Sequence, residues 1–119
     1  MEENNIIKAA RITDEKSGTV YELDFSRESI IFAERQGFSL DTAIEHPVSG
    51  MRDLFYIAFR KNHRTVPREK TDKIIDRFGG GVPEQLAKRL IQLYRQAESS
   101  FSILREEETE KNSGLTVEL

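Results

Sequence analysis

Apolar residues recur at positions 51, 54, 55, 58 and 59 in the stretch Met51-Arg52-Asp53-Leu54-Phe55-Tyr56-Ile57-Ala58-Phe59-Arg60. That spacing marks one face of a 3.6-residue helix, whereas a strand would alternate. Tyr56 and Ile57 widen the stripe, so the helix should be covered on more than one side. No other stretch packs so many large side chains into so short a run. Each one fully buried contributes roughly 1.5–3 kcal/mol, which makes this stretch the centre of the core. Pro47 suits its first turn. The pattern predicts a central helix from Pro47 to Asn62, with Leu54, Phe55, Ala58 and Phe59 inaccessible.

The rest of the chain is arranged to cover that helix. Residues 1–5 read as frayed, and Ile6 to Thr13 can extend. Asp14-Glu15-Lys16-Ser17-Gly18 is a turn cluster. Thr19 to Phe25 alternates, with Tyr21, Leu23 and Phe25 on one face and Glu22 and Asp24 on the other, which predicts a strand. The two segments form a β-hairpin, and its apolar face must lie on helices because a lone hairpin is marginal in water. Ser26 is the expected N-cap of a helix running to Gln36, with Gly37 as its left-handed stop and Phe38 folding back. Ser39 to Ile44 reads as a short helical turn ended at His46 by Pro47. After a connector, His63 to Val66, a helix is predicted from Pro67 to Phe78 with Ile74, Ile75 and Phe78 facing inward. Gly79-Gly80-Gly81 breaks it. Pro83 starts the last helix, whose Leu86, Leu90, Leu93, Ala97, Ser100 and Leu104 approach a seam. The predicted fold is α+β and mainly helical, an N-terminal β-hairpin packed on about four helices. Residues 1–104 form a single domain, and residues 105–119 are read as a polar, disordered tail.

Composition narrows the function more than it defines it. A third of the 119 residues are charged and 37% are hydrophobic, as in a globular protein with one modest core. No apolar run reaches the roughly 18–20 residues of a membrane span. The opening Met1-Glu2-Glu3-Asn4-Asn5 is unlike a secretory signal. Cysteine is absent, which excludes disulfides, thiolate nucleophiles and zinc–thiolate sites and suits a reducing cytoplasm. His46 and His63 fall at helix boundaries with no local nucleophile or carboxylate arrangement. The pairs Asp72/Asp76 and Asp24/Glu28 are ordinary solvated carboxylates, too few for a cation site. The glycine run lacks the Lys-Ser/Thr of a phosphate-binding loop. No enzyme, cofactor or metal is expected. Between Arg60 and Arg77 lie seven basic residues and three acids, against a net charge of −3 for the whole chain. A regulator that binds nucleic acid through the face of residues 60–77 is therefore the alternative reading. Asp72 and Asp76 among the cations argue against it, and a solvated basic face, or one that meets an acidic protein, is preferred.

The order of motifs resembles a known family. Tyr21-Glu22-Leu23-Asp24-Phe25-Ser26-Arg27-Glu28-Ser29-Ile30 is followed by Ala33-Glu34 and Gly37-Phe38. Then comes a Pro47-led helix with Leu54-Phe55 and Ala58-Phe59, a connector with His63, Lys70-Thr71-Asp72 and Ile74-Ile75-Asp76. Across residues 18–100 this resembles the tail assembly chaperones of long-tailed, siphovirus-type phages and prophages of Gram-positive bacteria. The Gly79–Gly81 run and the final Gly114-Leu115-Thr116-Val117-Glu118-Leu119 depart from that pattern. The resemblance implies a non-enzymatic protein that binds tape measure protein and assists assembly of the tail tube protein. It implies a place in the host bacterial cytoplasm, not in the mature virion, and no nucleic-acid or membrane partner. Such a chaperone needs apolar surface that its own core does not use. Phe101, Ile103 and Leu104, at the end of the last helix, are the candidates for partner capture or self-association as a homo-oligomer. Arg60, Lys61, Arg64 and Arg68 are the candidate polar contacts.

Overall fold

The computed structural model describes residues 6–102 and 114–119. In chain order the elements are β1 (Ala10–Thr13), β2 (Val20–Leu23), α1 (Arg27–Arg35), α2 (Leu40–Glu45), α3 (Pro47–Ala58), α4 (Arg68–Arg77) and α5 (Glu84–Ser102). This is the mainly helical α+β arrangement expected, with the turn at Ser39–Ile44 forming a helix of its own. The expected fraying of residues 1–5, Ile103, Leu104 and residues 105–113 of the expected tail lie outside the described residues. Leu115, Val117 and Leu119 are exposed.

The hairpin is antiparallel, with Ala10 opposite Leu23 and Ile12 opposite Tyr21. Ala10, Tyr21 and Leu23 are buried and Ile12 is half-buried, so one face points inward. The turn closes through the Asp14 N–H to the Thr19 carbonyl at 2.8 Å, and Gly18 takes a positive φ of 79° there. Side chains hold the chain entering β1 and the outer edge of β2. Just before β1, the Ile7 N–H donates to Gln96 Oε1 of α5 (2.7 Å), and Arg89 donates to the Lys8 carbonyl (3.1 Å). On β2, the Glu22 N–H donates to His63 Nε2 (2.9 Å), while Asn62 Nδ2 donates to the Glu22 carbonyl (3.2 Å). Side chains thus complete an edge that would otherwise be open to another strand.

Helix ends follow local chemistry. Ser26 caps α1 in a reciprocal capping box with Ser29, which is fully buried. At its other end the Phe38 N–H donates to Ala33 and the Gly37 N–H to Glu34, the Schellman pattern, with Gly37 at φ 82°. Gly79 and Gly80 close α4 in the same way, through N–H donation to Asp76 and Ile75. Helix α3 stops at Ala58, short of the expected Asn62. Its last turn tightens to i→i+3 bonds at Phe59 and Arg60, and the Ala58 carbonyl accepts from the Asp24 N–H (3.2 Å). The hairpin takes over the bond that a longer helix would have made.

Helix α3 is the centre, in contact with α1, α2, α4 and α5. Leu54, Phe55 and Ala58 are fully buried and Phe59 is 1% exposed. Rings of Tyr21 and Phe55 lie 5.2 and 5.0 Å from that of Phe59. From α5 come Leu90, Leu93, Tyr94 and Ala97, and from α4 come Ile74 and Ile75. One inward assignment is corrected. Phe78 is 42% exposed, because α4 ends beneath it and its ring borders a shallow cleft with Ile12 and Thr13. Thr71 is buried in its place, its hydroxyl donating to the Arg68 carbonyl (2.9 Å). Helices α2 and α3 cross at Gly50, where a Cβ would lie 2.3 Å from the Ala43 Cα.

Candidate partner-binding surface

The basic stretch folds back onto acids that are remote in sequence. Arg60, just past α3, lays its guanidinium 3.9 Å from the Phe32 ring centroid and donates through Nε to Glu28 (3.1 Å). Arg64 reaches the same Glu28 oxygen at 2.6 Å. Lys61 meets Asp24 at 2.8 Å. Arg68, at the start of α4, holds Asp53 of α3 at 2.9 Å and Asp72 one turn along at 3.2 Å. It also lies 5.5 Å from the Tyr56 ring, which meets Phe32 edge-on at 6.2 Å. Arg77 grips Asp14 in the hairpin turn through two nitrogens (2.8 and 3.2 Å). Arg52 bridges Asp72 and Asp76, both at 3.5 Å, and donates to the Gly80 carbonyl. Thus both carboxylate pairs seen in the sequence work as clasps between elements. Lys70 and Lys73 make no ion pair within 4.0 Å among the described residues.

These clasps shape the carboxylate acidities. Burial opposes ionisation of Glu28, but the hydrogen bonds and charges of Arg60 and Arg64 together outweigh it and hold its carboxyl below the usual range. The Arg77 hydrogen bond, with help from the Lys16 and Ser17 N–H groups, holds Asp14 well below that range. Both groups have folded-state pKa values below their unfolded ones, so both stabilise the fold above their ordinary values near about 4 and lose that contribution as pH falls further. The melting temperature should therefore hold steady from neutral pH to about 5 and drop below about 4. Arg77→Gln should flatten part of that drop. An unchanged acid limb in the variant would show that the Asp14 clasp does not contribute.

The apolar candidates lie at the far end of α5. Its 19 residues span roughly 28 Å, the longest helix among those described. Phe101, in its last turn, is 44% exposed, and the Arg27 guanidinium stands 5.5 Å from its ring. Ile103 and Leu104 fall outside the described residues. Phe101 and the cluster of Arg60, Lys61, Arg64 and Arg68 are therefore placed by different elements, the end of α5 against the region from α3 into α4. Val48 and Ile44 add apolar exposure around the α2–α3 junction.

The two histidines do different things. His46 is exposed where α2 passes into α3, and His63 serves the β2 edge, its ring 5.3 Å from Tyr21. Among the described residues no group of three or more His, Asp or Glu side chains could hold a metal ion. No helix among them is long and apolar enough to cross a membrane. Sequence reading missed the Glu28 hub and Tyr94, which lines a cleft among α1, α2 and α5. The signal for the first was present in Ser26-Arg27-Glu28-Ser29, an acid in the first turn of a capped helix, but its partners lie more than thirty residues away.

The chain belongs to the family described as a domain of unknown function (DUF5055), whose model matches residues 6–119. No curated protein and no solved structure matches it.

Proposed function

We propose that this protein is a non-enzymatic tail assembly chaperone of a long-tailed phage or prophage. It binds tape measure protein and assists assembly of the tail tube protein in the host bacterial cytoplasm, and it is left out of the mature virion. The observation that carries this reading is the exposed Phe101 ring on a long amphipathic helix whose inner face, Leu90, Leu93, Tyr94 and Ala97, is already used by the core. An apolar ring left over at a helix end suits capture of an apolar helical partner or of a second copy. The motifs that resemble the family fall in sequence order on the hairpin, α1, α3 and α4. Arg60, Lys61, Arg64 and Arg68 contribute less to this surface, because each already has a carboxylate within 3.2 Å. The same pairing works against the nucleic-acid alternative, since phosphates would have to displace Glu28, Asp24, Asp53 and Asp72.

The test is co-expression with any tape measure protein encoded in the same genome, for wild type and for Phe101→Asp/Leu104→Asp. Wild type should keep the partner soluble and be recovered with it, and the folded double variant should not. If the variant holds the partner as well as wild type, the end of α5 is not the binding surface. If wild type fails to hold it, while duplex DNA is shifted by wild type in a salt-sensitive manner, the regulator reading replaces this one.

A further inference from the structure

A second candidate site adjoins Tyr94 where it meets the surface. Tyr94 is 2% exposed, with Phe25 and Phe38 rings at 5.1 and 5.4 Å. Its hydroxyl has no hydrogen-bond partner among the described residues, yet among the same residues no buried polar side-chain atom is left unsatisfied. The hydroxyl is therefore reached from outside, and the opening is a cleft of about 250 Å³ at the meeting of α1, α2 and α5. Three carboxylates line it, Glu34 from α1, Asp41 from α2 and Glu98 from α5, with Arg95 the basic residue there and Phe38 an aromatic wall. All four charged groups are exposed, and none forms an ion pair within 4.0 Å among the described residues. Asp14, Asp24, Glu28, Asp53, Asp72 and Asp76, by contrast, each meet an arginine or lysine. Burial first, then the charges of Glu98 and Glu34, push the Tyr94 phenol up to about 12, so it remains a neutral hydrogen-bonding group throughout the physiological range.

We propose that this cleft receives an arginine side chain from a partner protein, its guanidinium forked between Glu34 and Glu98, stacked on Phe38 and hydrogen-bonded to the Tyr94 hydroxyl. A hard metal ion is a poor match, because these carboxylates form no group that could hold one. A guanidinium fits better than an ammonium, because it is planar, reaches two carboxylates at once and stacks on aromatic rings. The Tyr94 oxygen accepts one of its N–H groups. The excess of negative over positive charge in the cleft sets the sign of the ligand. The proposal goes beyond the chaperone reading and can fail without it, since it concerns any arginine-bearing partner.

The experiment is an NMR titration of the isotope-labelled full chain with N-acetyl-arginine amide. The lysine counterpart, free arginine, magnesium chloride and sodium chloride at matched ionic strength serve as comparisons. Expected are saturable shifts confined to Phe38, Asp41, Tyr94 and Glu98, strongest for the arginine amide. Free arginine should bind more weakly, because its own carboxylate meets the acids. Glu34→Gln/Glu98→Gln, which alters exposed groups, should weaken binding by about tenfold or more, the loss that follows when charge-assisted hydrogen bonds are removed. Tyr94→Phe should weaken it less, and Arg95→Gln should strengthen it. Shifts that track ionic strength alone, or that survive the double glutamine variant, would overturn the site. Tighter binding of the lysine amide or of magnesium would overturn the guanidinium assignment, and tighter binding of free arginine would make the ligand an amino acid and not a protein side chain.

Discussion

Phe59→Ala is expected to lower stability by about 3–5 kcal/mol, a large part of what a small domain possesses. The ring is buried against Tyr21, Phe55 and His63, residues drawn from the hairpin, from α3 itself and from the connector. Deleting it removes the transfer contribution of the ring and leaves a cavity that α3 cannot close, because its end is tied by the Asp24 N–H at Ala58. His63 would lose one of its two aromatic walls, and with it the positioning of Nε2 for the β2 edge. Damage should therefore spread from the core to the hairpin. Denaturant unfolding reports the total, and amide hydrogen exchange at Glu22 reports the edge. An unfolding midpoint close to wild type would mean that the centre of the fold lies elsewhere. Unfolding with unaltered Glu22 protection in the native state would separate the core from the edge.

The core was legible because burial on a helix prints its period directly into the chain. Leu54, Phe55, Ala58 and Phe59 needed no tertiary information, and the boundaries at Ser26, Gly37, Pro47 and Gly79 were written in residues with strong conformational preferences. The end of α3 was not legible, since the helix-like pattern continues through Phe59 and only a hairpin N–H stops it. The outward position of Phe78 was hidden for a similar reason, as the helical pattern extends one residue further than the buried face does. Charge was the least readable property. Residues 60–77 look like a basic face in one dimension, but Asp14, Asp24, Glu28 and Asp53 arrive from 15 to 63 residues away to pair with it. As for the candidate surfaces, the exposed Phe101 could be anticipated from surplus apolar residues on α5. The Tyr94 cleft could not, because Glu34, Asp41 and Glu98 come from three helices.

Gly50→Ala should act against the usual preference of a helix. In an exposed helix interior this change would stabilise by about 1 kcal/mol, since alanine is the better helix former. Here the added Cβ would lie 2.3 Å from the Ala43 Cα and 2.4 Å from its carbonyl oxygen. Those are backbone atoms of α2, so no side chain can swing aside to make room. Helix α2 must move as a body, but its freedom is small: Ser39 caps it, and Leu40 and Ala43 are buried under it. Its last residue is separated from Pro47 by His46 alone. Overpacking of this kind costs about 1–3 kcal/mol in ordinary cores, and a clash with backbone belongs at or beyond the upper end of that range. The net expectation is a loss of about 2 kcal/mol or more, opposite in sign to the propensity effect. Ser49→Ala, at an exposed neighbouring position on the same helix, is the control and should change little. A Gly50→Ala protein as stable as wild type would mean that α2 can lift from α3 at small cost, and the Asp41 wall of the Tyr94 cleft would then be free to move with it.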